Sequence, residues 1–473
     1  MQISFYGGIN EIGGNKILLD DQDTKIFLDF GKSYKGLSFY FEQYLQPRVV
    51  HGIKDYLSLG LIPELNGVYR EDLIDILQKD NYTKLSHQPP IVDGVLISHG
   101  HLDHVGYIAF LDKRIPLYGS ALTHLALKAL QTTRPYTFEN EILQFKPRTK
   151  KQDKKHKNKV IVEKSAIIKR DYNITQDRKP FKIKNLTIVP YDVDHSIPGA
   201  QMFVIKTSIG NILYTGDFRA YCTQEEYFWQ QMSAIKKQNI QIMICEGTRI
   251  KDDHKVSEKE VFNEAYKILQ NKKGLILVDS SPTDLNRFNT LCELSQKLNR
   301  TLVIQPSHYY YLQFFNNNNY PIPGFDKIFV YARQKCSIRQ WEQETLDLDN
   351  VITADDISNN QKQYMLIINF YQIQELIDIH PIKGSYFLRS TTEPHSEEME
   401  LSEERFKNWI KFFGMKFPQR AHASGHISGP ELKQVVEFIN PKTLIPIHTE
   451  YPKIFQQFHK NVKIVKPNET VYL

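Results

Sequence analysis

Cysteine is scarce: Cys222, Cys245, Cys292 and Cys336 are the only four in 473 residues. They are scattered and form no CxxC pair, which excludes both a disulfide framework and a thiolate zinc site. Long apolar runs are missing too. None approaches the roughly 18 residues that a membrane-spanning helix needs. The opening MQISFYGGINEIGGN has no basic leader and no apolar h-region, so it reads as a strand entering a Gly-rich turn rather than as a signal peptide. A reducing, cytoplasmic setting with no membrane attachment is the expectation. Nor is there a large charge excess overall: 60 Lys and Arg stand against 54 Asp and Glu.

What is present is an ordinary globular composition, 41% hydrophobic and 24% charged, in a chain long enough for two or three domains. The positive charge is unevenly placed. Residues 146–184 hold 15 Lys/Arg and 4 Asp/Glu, a local excess of 11 that leaves the rest of the chain mildly acidic. Such a segment suits a polyanionic partner; a solvated loop without a partner is the equally simple reading. Within it, residues 146–159 (KPRTKKQDKKHKNK) contain almost no apolar side chain and predict a loop.

Apolar runs bounded by turn residues predict strands at 91–98, 186–191, 200–207, 211–215, 240–245, 275–279 and 301–305. Helical periodicity separates many of them, as at 121–132, 258–271 and 284–298. The Ser208-Ile209-Gly210-Asn211 stretch predicts a tight turn between antiparallel strands. Hairpins mixed with crossovers indicate a layered α/β fold. Residues 32–85 open with an aromatic cluster, Phe39-Tyr40-Phe41, and read as a helical excursion.

The strongest chemical signal is Ser98-His99-Gly100-His101-Leu102-Asp103-His104, which follows an apolar strand and precedes a helical run. Residues two apart in extended chain project to one side, so His99 and His101 face together while Asp103 and His104 begin the helix. Imidazole and carboxylate donors suit zinc, with manganese the alternative. Two more candidates sit just past strand ends, His195 in Asp194-His195-Ser196 and Asp217 in Thr215-Gly216-Asp217.

HxHxDH, a later His and then TGD, in that order, resemble the metallo-β-lactamase fold. The resemblance implies an αββα sandwich with a dinuclear site at one edge. His99, His101 and His195 would hold one divalent metal, and Asp103, His104 and a further His the other. Asp217 would bridge them. Three more motifs resemble those of the β-CASP nucleases, a group that includes RNase J and archaeal RNA-processing exonucleases: Glu246-Gly247-Thr248 after an apolar strand, His422-Ala423-Ser424-Gly425-His426, and Pro446-Ile447-His448. The opening Gly7 to Asn15 stretch is similar to the start of the same proteins.

The resemblance assigns His448 to the second metal, Glu246 to orienting a motif His, and His426 to the scissile phosphate as general acid. Asp103 would also position the attacking hydroxide that two metals generate. His422, Ser424 and the hydroxyl cluster at Ser390 are candidate substrate contacts. A His at position 448 resembles RNA-acting members. The reading is thus a ribonuclease acting on single-stranded RNA with two divalent ions, zinc or manganese. A DNA nuclease, a small phosphoester or lactone hydrolase and an idle nucleic-acid-binding subunit are the alternatives. The implied domains are a metallo-β-lactamase core at 1–248 and 420–473, with the excursion 32–85 and the basic insertion 146–184, and a β-CASP domain at 249–419. After the last motif, 449–473 suffice for one more helix and strand. Oligomeric state and the choice between exonuclease and endonuclease stay open.

Overall fold

The computed structural model describes residues 1–42, 44–74, 85, 88–156, 160–220, 225–392, 397–416 and 418–473. Cys222, residues 43 and 75–84 of the excursion and residues 157–159 of the basic insertion lie outside the described residues. The chain forms two compact units. The first comprises Met1–Ala220, Glu225–Asp253 and His426–Leu473; the second contains His254–Gly425.

Two mixed sheets make the first unit. One runs, in spatial order, Tyr172–Thr175, Leu117–Ser120, Gly94–Leu96, Thr24–Phe30, Lys16–Asp21, Gln2–Gly7 and Glu469–Tyr472. The other runs Phe181–Ile183, Leu186–Asp192, Gln201–Thr207, Gly210–Tyr214, Ile240–Cys245 and Thr443–Pro446. The two-residue period of a strand sorts their apolar side chains. Ile17, Leu19, Ile26 and Leu28 share one buried cluster with Ile188, Phe203, Ile205, Ile212, Ile244 and Ile445 of the other sheet. Leu18 and Phe27, one residue out of phase, point the opposite way into a cluster with Ile53, Tyr56, Leu57 and Tyr69 of the excursion. On the second sheet the out-of-phase Val204, Leu213 and Met243 are equally buried. The cover there is supplied by the helices Glu225–Lys236 and Gly429–Ile439, which meet through an edge-to-face Trp229–Phe438 contact. Helix, sheet, sheet, helix is the layering. The predicted turn at Ser208-Ile209 joins antiparallel strands paired at Thr207 and Gly210.

The excursion carries short helices at Tyr34–Ser38, Lys54–Ser58 and Glu71–Ile74. The basic insertion departs from expectation. Instead of a loop, Arg148–Gln152 pairs antiparallel with Val160–Lys164. A ladder is held by backbone hydrogen bonds and needs no apolar side chain on both strands; the β-branched run on the second strand supplies the propensity. Its base is tied down by Arg148, which is buried over the Phe138 ring and donates its backbone N–H to Asp72 at 3.1 Å.

The second unit is built on a six-stranded sheet in which every pair is parallel, in the order Val351–Ile352, Phe329–Tyr331, Thr301–Ile304, Tyr364–Ile367, Ile276–Asp279 and Tyr386–Arg389. Its strands are short and almost wholly apolar because both faces are covered. Helices Glu258–Leu269, Leu285–Lys297 and Pro306–Asn316 connect or flank them. Among the described residues no helix is long and apolar enough to cross a membrane.

One buried ion pair organises this unit. Arg287, 1% exposed, holds Glu258 through Nε at 3.0 Å and Nη2 at 2.9 Å, and its Nη1 reaches the carbonyl and hydroxyl of Ser390 at 2.9 and 2.7 Å. Removing one partner of such a pair leaves a buried charge uncompensated, at a cost of about 3–5 kcal/mol, whereas replacing both by apolar groups is often close to neutral. Glu258→Gln is therefore expected to lower the stability of the second unit by that amount in urea unfolding. Glu258→Leu combined with Arg287→Met should cost less than the single change. A single variant within about 1 kcal/mol of the parent would show that the pair carries no net stabilisation.

Candidate metal centre

The centre is assembled in the first unit by strand ends. Past the Gly94–Leu96 strand, Ser98 is locked onto Asp29, its N–H donating at 2.7 Å and its hydroxyl at 2.6 Å. His99 and His101 then leave the strand and Leu102–Val105 forms a helical turn carrying Asp103 and His104. The turn is pressed against two glycine-bearing segments. A Cβ on Gly13, whose φ is +81°, would stand 2.6 Å from Asp103 Cβ, and one on Gly31 would stand 1.6 Å from the Asp103 carbonyl oxygen. Both positions need glycine because backbone or a short side chain fills the space a Cβ would take.

Two groups of donors result. His101 Nδ1 lies 3.1 Å from both His99 Nε2 and His195 Nε2. Close by, Asp103, His104, Asp217 and His448 converge: His104 Nε2 is 3.1 Å from Asp217 Oδ2, and His448 Nε2 is 3.2 Å from Asp103 Oδ2 and 3.5 Å from Asp217 Oδ2. The same Asp217 oxygen is 3.8 Å from His99 and 3.9 Å from His195, so it faces both groups. Glu246 Oε2 accepts from His426 Nδ1 at 3.0 Å, while its Oε1 accepts the Phe218 N–H at 2.9 Å. All seven residues expected as ligands, with Glu246 and His426, are thus brought together. The other three candidates lie in the second unit. His422 Nδ1 sits 3.1 Å from Arg287 and 3.2 Å from the Ser390 carbonyl. The Ser390 hydroxyl is buried and accepts from Arg287 while donating to the Ala421 carbonyl at 2.8 Å. Ser424 is half-buried.

Residues 71–278 match the family model described as the metallo-beta-lactamase superfamily, and residues 418–459 match that of the Zn-dependent metallo-hydrolase RNA specificity domain. Over 71–278 the chain is thus similar to the metallo-beta-lactamase superfamily. Among curated proteins it is similar to Ribonuclease J of Mycoplasma pneumoniae, at 23% identity over 95% of this chain and 68% of that one. It is also similar to Ribonuclease J of Pyrococcus abyssi, at 20% over 95% and 90%, and of Methanocaldococcus jannaschii, at 21% over 95% and 92%. A crystal structure of a protein of unknown function from Enterococcus faecalis V583 shares the fold, with a TM-score of 0.72, 20% identity and coverage of 100% and 99%.

The donor set fits divalent metal. Burial, together with the charges of His104 and His195, holds the His99 imidazole well below its usual range, and burial lowers His101 to about 4. The ring nitrogens of His99 and His195 face that of His101 at 3.1 Å, a cluster of imidazole donors that a cation between them would satisfy. Asp217 Oδ1 is buried and finds no hydrogen-bond partner among the described residues, a costly state that a metal relieves. Burial works against its ionised form, yet His104, His448 and His426 hold the carboxyl well below the usual carboxylate range. For His426, burial is outweighed by Glu246 and Asp217, which push the imidazolium up to about 9.

Sequence reasoning missed the partners that aim these ligands. Asp29, fully buried at φ +56°, binds His104 Nδ1 at 2.7 Å and so turns Nε2 inward. Its Oδ2 also accepts from Tyr214, whose oxygen takes a bond from Asn15. Thr248 Oγ1 meets His448 Nδ1 at 2.8 Å. Outer partners of this kind fix the tautomer and ring orientation of ligating histidines. A signal for Asp29 did exist: like Glu246 it is an acid at the end of an apolar strand and followed closely by glycine, in Leu28-Asp29-Phe30-Gly31.

Proposed function

We propose that the protein is a metal-dependent ribonuclease that hydrolyses phosphodiester bonds of single-stranded RNA, in processing or decay. The observation that carries the reading is the convergence of seven donor side chains, Asp217 among them, with the His426–Glu246 pair beside them. The match of 418–459 to an RNA specificity domain and the likeness to Ribonuclease J proteins support RNA as substrate.

His99, His101 and His195 would hold one ion, and Asp103, His104 and His448 the second, with Asp217 placed to serve both. When bound, two divalent ions, zinc most simply or manganese, supply a water acidified toward neutral pH and positive charge for the phosphoryl oxygens. Asp103, the partly exposed carboxylate of the set, would position the attacking oxygen. His426, kept protonated by Glu246, stands outside the two ligand groups and donates its proton to the departing sugar oxygen. His422 and Ser424 are substrate contacts of the second unit, and Ser390 enters through His422, whose Nδ1 its carbonyl meets. Burial and the Arg287 charge lower His422 to about 3, so it is a neutral hydrogen-bonding group. A reducing, cytoplasmic setting belongs to the same reading: Cys245 and Cys292 are buried free thiols and Cys336 is an exposed one.

Labelled single-stranded RNA, linear and circular, is the test substrate, with Zn²⁺ and Mn²⁺ supplied separately. Cleavage is expected with metal and none after chelation, giving 5′-phosphate and 3′-hydroxyl ends; a cut circle identifies an endonuclease. Turnover of bis-p-nitrophenyl phosphate with intact RNA throughout would overturn the assignment in favour of a small-ester hydrolase.

A further inference from the structure

Four aromatic rings of the excursion have no part in this chemistry, yet stand exposed beside it. Leu37 and Phe41 pack into the buried cluster of Ile53, Tyr56 and Leu57, and the Phe41 and Tyr40 N–H groups both donate to the Leu37 carbonyl, at 2.8 and 3.0 Å. With the inward side chains so fixed, the others turn out. Tyr34 is 51% exposed, Phe39 79%, Tyr40 45% and Tyr44 88%. Phe39 and Tyr40 lie with ring centroids 6.1 Å apart, and Lys32 Nζ is 5.7 Å from the Tyr34 ring centre. Large rings left in water as a group mark a binding surface rather than a core.

This segment is fastened to the candidate metal centre on two sides. The Lys32 N–H donates at 2.9 Å to the carbonyl of Leu102, the residue before Asp103. Lys35 Nζ binds Glu450, two residues past His448, at 3.1 Å, and the Asn10 carbonyl at 3.2 Å. Further along, Lys150 donates to the Val50 carbonyl and so ties the excursion to the basic insertion, where Lys151, Lys154, Lys155 and Lys164 are exposed. Exposed rings on a segment tied both to the candidate centre and to a lysine-rich insertion match the needs of one ligand class. A single-stranded polynucleotide offers free base faces to stack and a regular row of phosphates. A duplex hides those base faces.

We propose that Phe39, Tyr40 and Tyr44 form a stacking platform for unpaired bases of the RNA strand whose phosphodiester reaches the metal centre. The inference rests on the ribonuclease reading and adds where the strand is held and by what force.

The test uses the metal-loaded full chain and the variant Phe39→Ser/Tyr40→Ser/Tyr44→Ser; all three side chains are exposed, so the fold does not depend on them. Three substrates are compared: a labelled single-stranded RNA, the same oligomer with abasic positions, and bis-p-nitrophenyl phosphate. Base–aromatic stacking predicts a rise in KM for the intact RNA of at least about 30-fold and an unchanged salt slope. The parent should distinguish intact from abasic RNA and the variant should not. Turnover of the small diester should be unaltered. A variant with KM for RNA within about threefold of the parent overturns the platform while leaving the ribonuclease standing. If that variant instead sediments as a smaller species with unchanged RNA kinetics, the patch is a self-association surface and the proposal is also overturned. A parent that turns over the small diester and no RNA sinks both readings together.

Discussion

Asp217→Asn is expected to lose bound metal and to lower RNA hydrolysis by at least about 10³-fold, roughly 4 kcal/mol on the barrier. The side chain is 2% exposed and keeps its shape in the variant, so the fold should persist. What changes is charge. One oxygen of Asp217 lies within 3.9 Å of His99, His195, His104 and His448, and the other is buried without a partner. An amide offers one neutral oxygen and an N–H that points at imidazole nitrogens or at a cation. Both ligand groups therefore lose their shared anion at once. Metal content by elemental analysis, circular dichroism and RNA hydrolysis check the three parts of this expectation. Full metal content with activity within tenfold of the parent, about 1.4 kcal/mol, would falsify the bridging role.

His426→Ala separates proton transfer from metal binding. It should keep both ions and lose turnover by roughly 10²–10⁴-fold, the usual range for a positioned acid, with little change in KM. His426 meets Glu246 at 3.0 Å and stands 3.7 Å from Asp217. That geometry also admits another outcome, because Asp217, Glu246, His426 and His448 themselves converge closely enough to hold an ion. Loss of one metal equivalent in His426→Ala would make it a ligand and remove it as the acid. Glu246→Gln discriminates further. If Glu246 acts by orienting and charging His426, the variant keeps its metal and reproduces much of the His426→Ala loss in turnover.

The ligands were legible because local chain geometry presents them. HxHxDH is a single turn from strand to helix, and His195, Asp217 and His448 each follow an apolar strand, where a polar residue has reason to stand only if the strand end is used. The strands themselves were legible by alternation and length. The basic insertion was not: side-chain polarity along 146–159 predicts a loop, but backbone pairing to Val160–Lys164 makes a hairpin that no local pattern on the first strand reveals. The same holds for Arg287, an ordinary helix residue in the sequence. Only packing shows it to be buried and shared among Glu258, Ser390 and Ala423.

By itself the sequence determined the layered α/β class and pointed, by local motifs and by resemblance, to seven candidate donors and the His426–Glu246 pair. Tertiary structure alone brings these donors to one place, since His99 and His448 are far apart in the chain and meet only through the order of strands in two sheets. It alone showed that Asp29, Tyr214 and Asn15 aim His104, an arrangement that depends on side chains from three strand ends arriving at one buried point. It alone, too, separated the aromatic residues of the excursion into those that close the core and those that face water. Phe39, Tyr40 and Phe41 are three neighbouring aromatics in sequence, and nothing but the contact of Leu37 and Phe41 with the buried cluster decides which rings remain free to bind.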